Sequence, residues 1–307
     1  MRKLVYGMLF LFNFAVVNAE VIEIQNIEQT LPFLEEPNTL VLWDMEDVLI
    51  DSTLMIGTGA WRKSLRDDNS VHGKFLKEMD LLKLRDEAHN LLTIIVAGSI
   101  PVKPVEPVLP GIVEAVQQRN PTFVLTQRAI DQWYSTPFRE VDALTDRQLK
   151  TAGYDFKKSI LPPEWSALDP ASFKNGVFYA GAVKKGPFLK ALIEKTGYRP
   201  AKIVFINDKR DQVTGVEKAA EELGIPYVGI VYLHCEIAHA NYSDGAADLQ
   251  LKYLTHDKIK LSDEQALQKW ELLKNGDPEM EKEYARLFSM SERLRSHRRL
   301  RSGSPNL

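Results

Sequence analysis

The sequence contains almost no cysteine: Cys235 is the single one among 307 residues. One cysteine excludes an intramolecular disulfide framework and any zinc or iron–sulfur site built from several cysteines. An excess of positive charge is also absent, since 39 lysines and arginines face 42 aspartates and glutamates, for a formal net charge of −3. We therefore do not expect a nucleic acid as the main partner. With 44% hydrophobic and 26% charged residues, the composition is that of a folded globular protein.

The long apolar run of the sequence is at its start. Met1-Arg2-Lys3 is basic, Leu4 to Val17 is mostly apolar, and Val17-Asn18-Ala19 has small or apolar side chains at the positions that a signal peptidase reads. As a helix this run is too short to cross the ~30 Å core of a bilayer. The sequence predicts a signal peptide over residues 1–19 and an exported protein, periplasmic or secreted, without stable membrane insertion. An uncleaved N-terminal anchor is the alternative.

Short β-branched runs alternate with helical stretches in the rest of the chain, which predicts an α/β fold with a parallel sheet. The predicted strands are 39–43, 122–125, 203–206 and 227–231. Polar residues follow the first three strands directly, beginning with Asp44, Thr126 and Asn207. Because ligands of parallel α/β sheets bind at the carboxyl ends of the strands, we expect the functional site at these three ends.

Changes of pattern along the chain suggest its organisation. We expect an α/β core formed by residues 20–52 and 105–257, interrupted by a mainly helical cap over 53–104 that includes a helix at 75–92. A helical extension with a basic tail follows over 258–307. In it, Ser262 and Gln265 have the spacing of a capping box, and the helix that they begin is expected to end near Asn275.

The tail ends with five arginines between positions 293 and 301. Such a cluster could contact an anionic surface. A solvated tail is the simpler interpretation.

Asp44 is the candidate nucleophile, because a carboxylate at a strand end can attack phosphorus when cations offset the charge repulsion. Glu46, two residues further on, could protonate the leaving alcohol and then activate water. The hydroxyl of Thr126 and the backbone N–H groups after it could bind phosphate oxygens. Arg128 could add a forked contact to the same anion.

A cation and a metal site complete the candidate set. Lys184 and Lys185 precede a predicted helix, where either could place a charge beside the nucleophile and the phosphate. Asp208 ends another apolar strand, and Asp211 would lie on the same face if a helical turn begins there. Oxygen ligands from Asp44 and Asp208, with water and substrate phosphate, suit Mg²⁺.

Histidines lie on both sides of the cysteine, at His234 and His239. Their spacing matches no standard zinc pattern. We therefore interpret residues 234–239 as an ordinary exit from the fourth predicted strand.

Four segments, taken in chain order, resemble the motifs of the haloacid dehalogenase (HAD) superfamily of phosphohydrolases. They are Leu40 to Leu49, Phe123 to Thr126, Lys184 to Leu192 around Lys185-Gly186, and Ile203 to Asp208. The resemblance covers about residues 39–235 and places the cap where the superfamily has one. With its export signal, the chain also looks like uncharacterised exported HAD-like bacterial proteins, and less closely like secreted acid phosphatases.

The resemblance implies a Rossmann-like core and an exported, Mg²⁺-dependent enzyme that cleaves a small phosphomonoester through a phospho-aspartyl intermediate on Asp44. By the resemblance, Lys185 stabilises the nucleophile and the phosphate, Thr126 binds the phosphate, and Asp208 binds the metal. The backbone carbonyl of Glu46 would also reach the metal, and Asp211 is a further candidate ligand.

The chain departs from the superfamily pattern at two positions. Phosphatases of the superfamily normally have aspartate where this chain has Glu46. The segment Asn207-Asp208 also lacks the glycine or second aspartate that is more usual in the superfamily. Glu46 therefore keeps a second hypothesis open, in which the fold is catalytically weak or inactive and serves as a binding or effector module.

Overall fold

The computed structural model describes residues 19–287, apart from residues 81, 82, 84, 135 and 167. The predicted signal peptide up to residue 18 and the five arginines of the tail lie outside the described residues. The described part of the chain contains one large sheet, one small ribbon and two groups of helices.

The large sheet has seven strands in the order β1-β9-β8-β2-β5-β7-β6. The strands of the molecule are β1 (Ala19–Ile24), β2 (Thr39–Trp43), β3 (Ile50–Ser52), β4 (Val102–Pro104), β5 (Thr122–Thr126), β6 (Phe173–Lys174), β7 (Val177–Tyr179), β8 (Lys202–Asn207) and β9 (Tyr227–Tyr232). All neighbouring pairs in the large sheet are parallel except the pair of β6 and β7. The predicted α/β fold with a mostly parallel central sheet is thus confirmed.

The helices account for most of the other described elements. They are α1 (Leu31–Leu34), α2 (Gly59–Ser64), α3 (Val71–Asp80), α4 (Arg85–Ser99), α5 (Leu109–Gln117), α6 (Val141–Thr151), α7 (Lys185–Thr196), α8 (Arg210–Leu223), α9 (His234–Ala238), α10 (Asp244–His256), α11 (Asp263–Lys274) and α12 (Pro278–Leu287). Short 3₁₀ turns lie at 27–30, 156–158 and 163–165. Among these described helices, none combines the length and the apolar character needed to cross a bilayer.

Alternate residues of β2 supply the two halves of the core. Leu40 and Leu42 pack on the face covered by α7 and α8, whereas Val41 and Trp43 pack on the face that includes α5. All five residues of β2 are buried. Burial on both faces explains why the strand is a continuous apolar run rather than an alternating one.

The insertion begins and ends at a two-stranded ribbon. β3 and β4 pair antiparallel, with Ser52 opposite Val102, so the ribbon brings the two ends of the insertion together. The prediction of one continuous helix over 75–92 is wrong, because the chain forms two helices there, α3 and α4. Lys83, between them, has a φ of 56°, in the left-handed region that an α-helix cannot include.

The C-terminal helices pack on this insertion rather than on the sheet. Trp61, Leu92 and Val96 of the insertion share one apolar cluster with residues of α10, α11 and α12. The predicted capping box of α11 is confirmed, since the Ser262 hydroxyl accepts from the Gln265 N–H and the Gln265 side chain accepts from the Ser262 N–H. The insertion and the C-terminal helices therefore form one helical body above the sheet edge that carries Asp44.

Candidate functional site

A cleft of about 520 Å³ opens where the carboxyl ends of the central strands meet the helical body. Six of the seven site residues predicted from the sequence line it: Asp44, Glu46, Thr126, Arg128, Lys185 and Asp211. Asp208 lines an adjacent cavity of about 440 Å³ instead. The parallel sheet thus brings together side chains that are up to 167 positions apart (44 to 211), as the rule for strand ends predicts.

Two hydrogen bonds and one ion pair orient the carboxylate of Asp44. It follows β2 directly, and its backbone N–H donates to the carbonyl of Ile206 in β8, 2.9 Å away. Its Oδ1 lies 2.6 Å from Lys185 Nζ and accepts from the Met45 N–H, while its Oδ2 accepts from the Asn207 side-chain amide at 3.0 Å. The residue is only 5% exposed. Asp44 is therefore a buried, oriented carboxylate with a cation beside it.

Lys185, not Lys184, is the partner of Asp44. Lys184 is the exposed N-cap of α7, whereas Lys185 begins the helix with its side chain 1% exposed. Burial lowers the pKa of Lys185, and the Asp44 carboxylate opposes that effect. The next residue, Gly186, lets α7 approach α8, since a Cβ there would lie 2.0 Å from the carbonyl oxygen of Gly215. Close helix packing thus fixes the position of the lysine.

Glu46 is paired with Arg128. Both the Nε and one terminal nitrogen of Arg128 lie 2.7 Å from Glu46 Oε1. Burial raises the pKa of Glu46, but the charges of Arg128 and Arg62 and the hydrogen bond from Arg128 outweigh it and lower the pKa to about 2. A carboxylate with that pKa is ionised at neutral pH and has no proton to donate.

The side-chain donors of Arg128 are engaged by other side chains of the protein. Nη1 donates to Thr145 Oγ1 and Nη2, the terminal nitrogen beside Glu46, donates to Gln148 Oε1, each at 2.8 Å, while the guanidinium lies over the ring of Trp133. The residue is 5% exposed. The sequence predicts that Arg128 makes a forked contact with a bound anion. In the structure, its side-chain donors bind Glu46 and residues of α6 instead. Its backbone N–H also donates to the buried hydroxyl of Thr126 at 3.2 Å.

Asp208 is the acidic residue best suited to a cation. Within the described part of the chain, nothing donates a hydrogen bond to its buried Oδ1, while its Oδ2 lies 3.6 Å from Lys209 Nζ. Burial raises the pKa of Asp208 to about 7, with Asp44 and Asp47 adding to the rise and Lys209 opposing it. A carboxylate oxygen without a partner beside other carboxylates fits a hard divalent cation such as Mg²⁺. Asp211 is exposed in the first turn of α8, at the rim of the cleft.

Several residues of the site were not predicted from the sequence. Asn207 is expected at this edge of the sheet from its place after a strand, but the sequence gives it no role; in the structure its amide donates to Asp44 and to Gln212. Arg62, from the insertion, lies 2.5 Å from Asp47 and contributes a positive charge to the cleft wall. Trp133 lines the same wall. The position of Asn207 at a strand end was an available signal, but nothing local in the sequence indicates the contacts of Arg62.

Comparison with known proteins places the chain in a family without giving its activity. Residues 19–267 match the family described as "Protein of unknown function (DUF2608)", and the chain belongs to that family. A "Putative outer membrane protein" of Chlamydia trachomatis serovar D is 24% identical over 76% of this chain and 83% of its own length. A protein of Chlamydia pneumoniae with the same description is 25% identical over 81% and 88%. No solved structure matches the chain.

Proposed function

We propose that this member of the DUF2608 family is an exported, Mg²⁺-dependent phosphohydrolase that acts on a small phosphomonoester. The observation that carries the proposal is the buried pair of Asp44 and Lys185, 2.6 Å apart, at the end of the central strand and on the wall of the cleft. A buried carboxylate oriented by a lysine suits nucleophilic attack on phosphorus, because the lysine offsets the repulsion between two anions.

The arrangement of the four HAD-like segments supports the same proposal. β2, β5 and β8 carry the first, second and fourth segments and are direct neighbours in the sheet. The third segment contains Lys185, which contacts Asp44. The β3–β4 ribbon then carries a helical insertion in the position expected for a cap. A HAD-like core with a cap is therefore the finer description that we propose for this α/β fold.

In the proposed reaction, an oxygen of Asp44 attacks the phosphorus and the bond from phosphorus to the alcohol oxygen breaks. The leaving alkoxide takes a proton from water, and a water molecule then hydrolyses the aspartyl phosphate, which returns that proton and regenerates Asp44 and inorganic phosphate. Lys185 offsets the charge of both anions, and the Asn207 amide fixes the second oxygen of Asp44. By the resemblance, Asp44, Asp208 and the backbone carbonyl of Glu46 would hold Mg²⁺. The bound ion would neutralise part of the charge of the phosphate.

The proton for the alcohol is the demanding part of this reaction. Glu46 stands where the superfamily has its acid, but its pair with Arg128 keeps it ionised. Glu46 can act as an acid only if substrate binding separates it from Arg128. Aryl phosphates need little protonation of the leaving group, so we expect the protein to cleave them better than alkyl phosphates.

Export is part of the proposal. The basic and apolar start of the sequence has the pattern of a signal peptide, and its relatives in Chlamydia carry names that refer to the outer membrane. Both observations favour a protein that leaves the cytoplasm, in the periplasm or beyond.

The test is phosphate release from p-nitrophenyl phosphate by purified residues 20–307, with and without Mg²⁺. We expect Mg²⁺-dependent release that Asp44→Asn abolishes while the circular dichroism spectrum stays unchanged. Asp169→Asn, at an exposed position outside the lining of the cleft, is the matched control and should keep most of the activity. Substantial turnover by Asp44→Asn would show that Asp44 is not the nucleophile.

The pair of Glu46 and Arg128 also favours one alternative, a catalytically weak or inactive protein that serves as a binding or effector module. Under that alternative the wild-type protein releases no phosphate from any ester of a substrate panel. Activity that appears only in Glu46→Asp would support it, because the fold would then hold every part of the reaction except a usable acid.

A further inference from the structure

Three buried side chains with metal-binding atoms converge beside the cleft, outside the residues used by the proposed reaction. Asp47, Asp51 and Cys235 each offer one ligand atom, and these atoms lie within 4.8 Å of one another. All three residues are buried. They come from the loop after β2, from β3 and from α9, so the fold alone brings them together.

One carboxylate in this cluster has an unsatisfied oxygen. Asp51 is 6% exposed, and its Oδ2 lies 3.1 Å from His239 Nε2. Its Oδ1 is buried and accepts no hydrogen bond from any residue that the structure describes. Buried polar atoms in native proteins nearly always have a partner, and an ion is one of the partners that explains an exception. A cation held by the cluster would provide a partner for this oxygen.

We infer that Asp47, Asp51 and Cys235 form a second metal site, for a borderline divalent ion such as Zn²⁺. The site does not depend on the proposed phosphohydrolase activity and uses none of its residues. Thiolate ligands favour zinc and similar ions, whereas Mg²⁺ and Ca²⁺ prefer a full set of oxygen ligands.

The spacing of the ligand atoms suits such an ion. With bonds of about 2.0–2.3 Å, two ligands of a tetrahedral zinc lie about 3.5 Å apart. The three atoms of the cluster need to move by only about 1 Å to reach that geometry. Asp47 and Cys235 also line the adjacent cavity of about 440 Å³, which leaves room for water at the fourth position.

Two neighbours hold the ligands in place. Arg62 binds Oδ2 of Asp47 at 2.5 Å. His239 contacts Asp51, in the manner of the residues that orient metal ligands from outside the ligand set. Burial, with the charges of Asp51 and Asp47, raises the pKa of the Cys235 thiol. The metal-free thiol is thus protonated, and binding of the dication releases that proton to solvent as the sulfur–metal bond forms.

Co²⁺ titration of the metal-free mature chain tests the inference. A thiolate bound to Co²⁺ produces a charge-transfer band in the near ultraviolet, and Cys235 is the chain's single cysteine, so the band reports on this site alone. We expect one equivalent of Co²⁺ to produce the band, Zn²⁺ to remove it by displacement, and excess Mg²⁺ to leave it unchanged.

Variants separate this site from the Asp44–Asp208 site. Cys235→Ser should abolish the band, and Asp51→Asn should weaken Co²⁺ affinity at least tenfold. Asp208→Asn is the matched control and should keep the band at the same stoichiometry. Co²⁺ binding without a band, or a band with unchanged affinity in Asp51→Asn, would overturn the inference. The titrations of wild type and Asp51→Asn decide the matter even if Cys235→Ser does not fold.

Discussion

Replacing Glu46 by glutamine removes one charge from a buried pair and keeps the shape of the side chain. In the native protein, Glu46 Oε1 accepts a hydrogen bond from Arg128 Nε and lies 2.7 Å from both Nε and one terminal nitrogen of that arginine. Arg128 is 5% exposed and keeps its charge after the substitution. Because an unpaired buried charge is costly, we expect Glu46→Gln to destabilise the protein at neutral pH.

The magnitude follows from the pKa of Glu46. The surroundings lower it from 4.5 to about 2, which corresponds to about 3 kcal/mol at about 1.4 kcal/mol for each pKa unit. The Glu46 side chain is 24% exposed, so water screens part of this interaction. We therefore expect a loss of about 2–3 kcal/mol in the free energy of unfolding at pH 7.

The dependence on pH has a definite sign. A carboxyl group whose pKa is lower in the folded state stabilises the protein fully above its unfolded pKa of 4.5, and this stabilisation is lost as pH falls toward 2. The difference between wild type and Glu46→Gln should therefore shrink to about 1 kcal/mol at pH 3.

Urea denaturation of both proteins at pH 7 and pH 3 measures this difference. Glu222→Gln is the matched control, because Glu222 forms an exposed ion pair with Lys190 at 2.6 Å. Its loss should be too small to resolve. Equal stability of wild type and Glu46→Gln at pH 7, or the same loss at both pH values, would refute the assigned charge interaction.

Three further predictions concern activity and export. Lys185→Ala should lower turnover of an aryl phosphate at least tenfold, whereas Lys184→Ala, at the exposed N-cap, should not. The reverse result would show that Lys184, not Lys185, is the cation that assists Asp44. Glu46→Asp should raise hydrolysis of alkyl phosphates relative to aryl phosphates, since a shorter acid loses its contact with Arg128, and an equal fall on both esters would contradict this. Mass spectrometry of protein from the native bacterium should find a mature N-terminus near Glu20; intact Met1 in a soluble cytoplasmic fraction would exclude export.

Four of the seven strands of the large sheet, β2, β5, β8 and β9, could be predicted because they are simple in sequence, whereas β1, β6 and β7 were not predicted. Strands such as Thr39–Trp43 and Thr122–Thr126 are buried on both faces, so each is a continuous apolar run with a polar residue at its end. The same feature explains why Asp44 and Thr126 were recognised as site residues. Parallel strands bring their carboxyl ends to one edge, and no further information was needed to place these side chains together.

Contacts between distant elements could not be predicted in the same way. The sequence shows that Arg128 follows a strand, but not that Thr145 and Gln148 of α6 accept its hydrogen bonds. It shows a lone cysteine, but not that Cys235 lies beside Asp47 and Asp51. It likewise does not show that α10 packs against the insertion.

The concentration of buried charge is the strongest argument that this edge of the sheet has a function. Asp44, Asp47 and Asp51 are each about 5–6% exposed within eight residues of one another, and Glu46 and Asp208 lie beside them. Burying a carboxylate costs several kcal/mol, and a paired buried charge stabilises a fold no better than apolar residues of similar volume. The pairs with Lys185, Arg62 and Arg128 compensate this cost only in part, since one oxygen of Asp51 and one of Asp208 have no hydrogen-bond partner among the residues that the structure describes. Stability alone gives no reason for this arrangement, whereas the binding of cations and phosphate gives one.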